Sequence, residues 1–321
     1  MRPFFRECFF SPSSALSLGL TRIALYLGVL IFYGVFIGDF SQFAAGASPM
    51  TWRPLGLFPG GLRWLFEGPF GREILDWLFK TSTLLALVGW KFRWTSIVAL
   101  VSSALLFGFI SSSGNAFRVD TILIQAQLIA CLAPMSAALS FDSGLKLPER
   151  SRDYRWPLVL FQMHWVFIFW ASGLGKLRQS GFAWAYDDFF REYLFQTYVT
   201  RGPQIEGSGT ESLILWLMKH GEVTLVGGAI VFSFELLYPL IFIRRLTLPF
   251  LALSLFFQTV VRLALGISFF AYWMLVPVWL PLLIRERAID DFYANLIGRM
   301  KARGRLRTSE LHLVDGLQLH V

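Results

Sequence analysis

The sequence is poor in charge, cysteine and histidine. Only 16% of its 321 residues are charged, whereas a soluble domain carries about 25%. Two cysteines, Cys8 and Cys131, and four histidines leave little material for a disulfide framework or a metal centre. The chain also contains no CxxC and no HxxxH spacing. We therefore expect neither a disulfide nor a metal site.

Apolar and aromatic residues are abundant instead. They include 33 Phe and 12 Trp, hydrophobic residues make up 55% of the chain, and the mean hydropathy is +0.56. A water-soluble fold has no surface for so much Phe, whereas helices facing lipid do, and Trp suits the two membrane interfaces. The composition predicts an all-α, polytopic membrane helical bundle whose main partner is the lipid bilayer.

Eight apolar runs approach the length of about 20 residues that a helix needs to cross a bilayer. They are Leu16–Ile37, Ile74–Trp90, Thr95–Ser112, Val119–Met135, Trp156–Lys176, Val223–Ile243, Leu246–Leu265 and Ser268–Ile284. The second is the weakest, because it is short and carries Asp76 and Lys80. The last two share one apolar stretch, which we divide at residues 265–268, since a single helix would reach about twice the hydrocarbon thickness. We expect about eight transmembrane helices.

The basic residues fix the expected orientation and argue against a nucleic-acid partner. The net charge is +8, but the Lys and Arg residues lie between apolar runs rather than on one patch. Short loops with basic pairs alternate with longer loops where basic residues are scattered, which predicts that both termini are cytoplasmic. The expected organisation is a cytoplasmic N-terminus over residues 1–14, a transmembrane domain over 15–289 and a basic cytoplasmic tail over 290–321. The lack of additional domains favours a bacterial inner membrane.

Ionisable and polar residues inside the runs are the candidates for a site. A charge at mid-bilayer costs about 3 kcal/mol, so each charged residue there needs a partner of opposite charge or a functional role. Asp76 and Lys80 stand four apart and can pair with each other. For any single residue the leading alternative is that it only joins helices, but for the whole set we favour a shared polar cavity. The cavity candidates are Arg22, Asp120, Gln127, Ser172, Glu235, Gln258 and Arg262.

Lys176 is the most informative of these residues. It ends an apolar helix in which Gln162, Trp165, Phe169, Ser172 and Lys176 follow one helical stripe. A lysine partly withdrawn from water can act as a general base. A lysine at the end of a span can equally extend its ammonium to the headgroups. The chemistry alone leaves both alternatives open.

Residues 169–177 read FWASGLGKL and are followed by FAW at 182–184. This stretch resembles the signature of the HTTM family, the horizontally transferred transmembrane proteins related to vitamin K-dependent γ-carboxylase. LTRIAL at 20–25, LSFDSG at 139–144 and the region from Phe257 to Tyr272 resemble further segments of that family in the same order. The resemblance extends to about residue 284.

The resemblance implies a role for Lys176. In the carboxylase branch, the lysine at the matching position is the base that deprotonates vitamin K hydroquinone on the lumenal or outer side. It therefore implies a membrane enzyme that uses Lys176 on a lipophilic, quinol-like substrate such as vitamin K hydroquinone or menaquinol. Val119-Asp120 and Gln258 stand where carboxylases have histidines, which counts against glutamate carboxylation itself. The alternative is a non-catalytic scaffold, a lipid-binding protein or a transporter, and the sequence names no protein partner.

Overall fold

The computed structural model describes residues 9–36, 38, 68–112, 118–144, 150–186, 188–205, 209–265 and 276–283, with 288, 290, 291 and 293–295. Most of these residues are helical, and none of them belongs to a strand. Two isolated β-bridges join Ser13 to Ser151 and Ser140 to Gly144. The predicted all-α class is confirmed for this part of the chain.

Nine long helices account for most of the described residues. They are α1 (Ala15–Phe36), α2 (Pro69–Val88), α3 (Phe92–Ser112), α4 (Arg118–Leu132), α5 (Arg155–Ser180), α6 (Phe189–Ile205), α7 (Gly209–Lys219), α8 (Gly221–Leu237) and α9 (Arg244–Leu265). Short 3₁₀ turns cover Arg152–Tyr154, Ala183–Ala185, Tyr238–Phe242 and Val276–Trp279, and the single-turn α10 covers Leu280–Leu283.

Four segments within the described residues are long and apolar enough to cross a membrane. They are Ala15–Val35, Phe92–Ile110, Arg152–Ser180 and Gly221–Phe242, and they correspond to the predicted first, third, fifth and sixth spans. They indicate a protein embedded in a membrane. Each segment is a run of apolar residues. In lipid the backbone of such a run must form all its hydrogen bonds internally, and an α-helix does so.

Helices also occupy the positions of three further predicted spans. They are α2, α4 and α9, of which α4 has only 15 residues. The division expected at residues 265–268 and most of the eighth predicted span lie outside the described residues. The total of eight spans, the cytoplasmic placement of both termini and the domain boundaries therefore stay predictions.

The described chain divides into two compact units. Unit 1 contains Met1–Phe161 with Met274–Val321, and unit 2 contains Gln162–Trp273. Helices α1 to α4 belong to unit 1, and α6 to α9 belong to unit 2. The boundary falls within α5, so the part of that helix that carries Ser172 and Lys176 belongs to unit 2.

Arg22 lies in the core of unit 1 and serves the backbone there. Its side chain is fully buried, and its guanidinium donates hydrogen bonds to the carbonyl of Met135, at 3.3 Å, and to that of Leu139. Both carbonyls lie in the turn after α4, outside the helix. The buried cation therefore holds the turn after α4.

Gly89 and Asp142 have structural roles in the same part of unit 1. Gly89 caps α2 with φ of +73°, and a Cβ at this position would collide with the Arg22 guanidinium. The Asp142 carboxylate accepts hydrogen bonds from the backbone N–H groups of Lys91, at 2.8 Å, and Phe92, at 2.9 Å. It thereby caps the first turn of α3.

Candidate functional site

Polar side chains on one face of α5 lie against α8 in unit 2. Gln162, Trp165 and Phe169 are buried, and Trp165, Phe169, Ser172 and Lys176 each contact residues of α8 or of the turn that follows it. The stripe predicted from helical spacing is thus confirmed as one face of the helix from Trp165 to Lys176. Its polar residues converge near the end of α5, four residues before Ser180.

Lys176 forms an ion pair with Glu235 of α8. The side chains are 18% and 5% exposed, respectively, so the carboxylate is almost completely withdrawn from solvent. Ser172 joins both groups, because its hydroxyl donates to Glu235 Oε1 at 3.1 Å and accepts from Lys176 Nζ at 3.2 Å. We call these three residues the Lys176 cluster. Lys176 and Glu235 compensate each other's charge, and each of them contacts both other members of the cluster.

Trp184 covers the ammonium group of Lys176. The Lys176 Nζ lies 5.1 Å from the centroid of the Trp184 ring, a distance at which a cation is attracted to the face of indole. The ring also stacks on Phe189, with centroids 5.9 Å apart. Trp184 belongs to the 3₁₀ turn Ala183–Ala185, and this turn lies against α8 at Gly228, where a Cβ would be 2.9 Å from the Trp184 carbonyl oxygen.

Gly173 allows α5 and α8 to approach each other at the cluster. A Cβ on Gly173 would lie 3.0 Å from the Cβ of Glu235 and 3.0 Å from the backbone nitrogen of Leu236. Gly175 has nothing within 4 Å of the corresponding position. Only the first of the two glycines is therefore required by packing, and it sits beside the carboxylate that pairs with Lys176.

Aromatic rings of α5, α8 and the elements that follow α8 pack together. Phe169 stacks on Tyr238 with centroids 4.3 Å apart, and it also packs against Phe234 and Phe257. We call these four residues the aromatic layer. The Trp165 indole donates to the Tyr238 hydroxyl at 2.6 Å. An ion pair whose carboxylate is only 5% exposed experiences a lower local dielectric than one in water, so its electrostatic interaction is stronger.

The predicted cavity residues do not all lie in one unit. Lys176, Ser172 and Glu235 come together in unit 2, which also contains the buried Gln258 of α9. Arg22 and Gln127 belong to unit 1, where the Gln127 carbonyl oxygen accepts from the Ser103 hydroxyl at 3.1 Å. The side chains of Asp120 and Arg262 lie outside the described residues. The predicted pair of Asp76 and Lys80 is confirmed, with 2.6 Å between Oδ2 and Nζ.

Two features of the site were not assigned from the sequence. The pairing of Lys176 with Glu235 joins residues 59 positions apart, and no local spacing connects them. The contact of Trp184 with the Lys176 ammonium group was not predicted either. The sequence contained one indication of a ring near the ammonium group. A Trp lies a few residues beyond the end of the span, and indole favours the membrane interface.

Known proteins offer no direct guide to the site. No family model, no curated protein and no solved structure matches this chain. Among the described residues, no group of three or more His, Cys, Asp or Glu side chains is arranged to hold a metal ion.

Proposed function

We propose that this chain is a membrane enzyme that uses Lys176 as a base on a lipophilic, quinol-like substrate. The observation that carries the proposal is the ion pair of Lys176 with the buried carboxylate of Glu235. Charge inside a membrane span is costly, and a lysine, a carboxylate and a hydroxyl in mutual contact have the composition of a proton-transfer site. The wider proposal is an HTTM-type bundle of about eight spans in a bacterial inner membrane, with both ends cytoplasmic.

The cluster suits proton abstraction from a quinol hydroxyl. Lys176 first releases its ammonium proton to water, which reaches its partly exposed side chain. As a free amine it then takes the proton of the quinol hydroxyl, the O–H bond breaks, and the substrate becomes a quinolate. The ammonium group that forms is stabilised by the Glu235 carboxylate and by the face of Trp184. Glu235 therefore favours the protonated product of the step, and Ser172 keeps the two side chains aligned.

The placement of Lys176 supports a lipophilic substrate. The residue lies near the end of an apolar helix, and the face of Trp184 lies beside its ammonium group. Under the proposed topology this end of α5 faces the outer side. A quinol dissolved in the bilayer reaches such a position without crossing water.

The test compares variants of Lys176 in purified protein embedded in nanodiscs. The assay measures dioxygen consumption that depends on both protein and menadiol, in which the quinolate reduces dioxygen to hydrogen peroxide and becomes the quinone. Lys176→Arg keeps the cation beside Glu235 but cannot release its proton near neutral pH. We expect this variant to fold and to lose the protein-dependent rate. Lys80→Arg, in the pair formed with Asp76 in unit 1, is the matched control and should retain it.

A second candidate function is a non-catalytic scaffold in which the cluster only joins helices. The close packing at Gly173 and the hydrogen bond between Trp165 and Tyr238 favour it, because both tie α5 to α8 or to the turn after it. In this case the wild-type protein adds nothing to menadiol oxidation, and Lys176→Arg behaves like wild type in every assay. Either result overturns the proposed enzyme.

A further inference from the structure

The corner between α2 and α3 exposes two tryptophans and two cations close together in the chain. Trp90 and Trp94 are 45% and 71% exposed, and Lys91 and Arg93 are exposed as well. We call these four residues the basic corner. Among the described residues, no carboxylate forms an ion pair with either cation. The corner therefore presents two positive charges that this part of the protein does not pair.

The exposed face of α3 sets the depth of the basic corner in a membrane. The exposed apolar residues of this helix follow the spacing of one helical face. They are Trp94, Ile97, Val98 and Val101. Since α3 contains one of the four segments that can cross a membrane, this face meets acyl chains. Trp94 ends the face, and indole favours the boundary between hydrocarbon and headgroups. Lys91 and Arg93, which precede Trp94, therefore lie at the level of the headgroups.

The fold holds the basic corner in one conformation. The Asp142 carboxylate binds the backbone N–H groups of Lys91 and Phe92, and the Asp142 N–H donates to the Gly89 carbonyl at 3.2 Å. Lys91 has a φ of +42°, which a lysine seldom adopts and keeps only where its surroundings impose it. Its Nζ lies 5.2 Å from the centroid of the Trp90 ring, within the range of a cation–π contact. A ligand at this corner therefore meets side chains that are already positioned.

We propose that the basic corner binds the headgroup phosphate of an anionic phospholipid. Lys91 and Arg93 carry only hydrogen-bond donors, and phosphate oxygens are acceptors with negative charge. A zwitterionic lipid brings its own ammonium group, which opposes the two cations, so the corner prefers a lipid with net negative charge. Trp90 and Trp94 contact the glycerol region and the upper acyl chains. The site belongs to unit 1, whereas the Lys176 cluster belongs to unit 2, so it does not depend on the proposed enzyme.

The corner before α9 provides a matched control. Arg244 and Arg245 also form an exposed basic pair, and Phe242 and Ile243 beside them are 41% and 50% exposed. No Trp lies between residues 238 and 250. This corner therefore has the charge and the apolar exposure of the basic corner without its tryptophans. It separates a specific lipid site from the general attraction of basic loops for anionic membranes.

Native mass spectrometry of the full chain in a mild detergent tests the proposal. The probes are phosphatidylglycerol and phosphatidylcholine with identical acyl chains, and the dissociation constant of the first bound lipid is measured for each. We expect the wild type to prefer phosphatidylglycerol. Lys91→Gln with Arg93→Gln should weaken its binding about thirtyfold, each single substitution should account for about fivefold, and binding of phosphatidylcholine should stay unchanged.

The control is Arg244→Gln with Arg245→Gln, which should keep the preference for phosphatidylglycerol. The thermal midpoints of both double variants without added lipid should match that of the wild type, because the substituted side chains are exposed. Lipid binding can therefore be compared between folded proteins.

Three results overturn the proposal. The first is a wild-type protein that binds both lipids equally. The second is undiminished binding of phosphatidylglycerol after both substitutions at the basic corner, which locates the lipid elsewhere. The third is an equal loss in the two double variants, because the preference then arises from basic loops in general. None of these results bears on Lys176.

Discussion

Removing the ammonium group of Lys176 should destabilise the protein mainly through the carboxylate left behind. In Lys176→Met, Glu235 remains buried at 5% exposure and keeps only the hydrogen bond from Ser172, at 3.1 Å. Breaking a buried ion pair by removing one partner costs about 3–5 kcal/mol. Since the Lys176 side chain is 18% exposed and water therefore reaches the pair, we expect the lower end, a loss of about 3 kcal/mol.

A second substitution should recover most of that loss. In Lys176→Met with Glu235→Gln, the buried charge is gone and the new amide oxygen still accepts from Ser172. We expect the double variant to lie within about 1 kcal/mol of the wild type, and therefore to be about 2 kcal/mol more stable than Lys176→Met. Because Glu235→Gln alone leaves the Lys176 cation without its carboxylate and is also destabilising, the coupling energy between the two positions is at least about 2 kcal/mol.

The assay is equilibrium unfolding of purified protein in mixed micelles, followed by tryptophan fluorescence, with all four proteins of the cycle measured under identical conditions. A mild detergent with increasing amounts of a denaturing one provides the titration. Additive losses, with the double variant less stable than either single variant, would refute the reasoning. Such a result would mean that the contact between Lys176 and Glu235 contributes nothing to folding.

Three further predictions concern packing and capping, each measured as a shift in the thermal midpoint in one detergent. Gly173→Ala should lower it, because the added methyl group meets α8, whereas Gly175→Ala should be neutral or stabilising; equal effects would contradict the close approach. Gly89→Ala should cost at least about 1 kcal/mol, because its φ is positive and the site is filled, while Gly34→Ala should stabilise α1. Asp142→Ala should cost about 1–2 kcal/mol by removing the cap of α3, and an unchanged midpoint would exclude that role.

Several parts of the molecule could be predicted because they depend on local sequence. The four membrane-crossing segments are long apolar runs, and in lipid a run of that length must satisfy its backbone as a helix. The pair of Asp76 and Lys80 follows from spacing, since residues four apart meet on one face of a helix. The stripe from Trp165 to Lys176 follows from the same periodicity, so its common face was predictable without knowing what it contacts.

The predicted convergence of all the charged and polar residues on one cavity had no such local basis, and it stays a prediction. Periodicity shows which residues share a face of a helix, but not which helix packs against that face. In the structure Arg22 and Gln127 belong to unit 1, and the Lys176 cluster belongs to unit 2. Arg22 illustrates the difficulty. An arginine in a span signals a buried partner, but backbone carbonyls are partners that leave no trace in side-chain composition.

The sequence alone determined that the chain is helical and embedded in a membrane, and it singled out Lys176, because hydropathy, helical period and the energetic cost of a charge in lipid are properties of short segments. The tertiary structure alone decided that Lys176 pairs with Glu235, that Gly173 rather than Gly175 permits the contact, and that Trp184 covers the ammonium group. These facts depend on which helices cross and how closely. They arise from packing between residues far apart in the chain, and no local pattern encodes that packing.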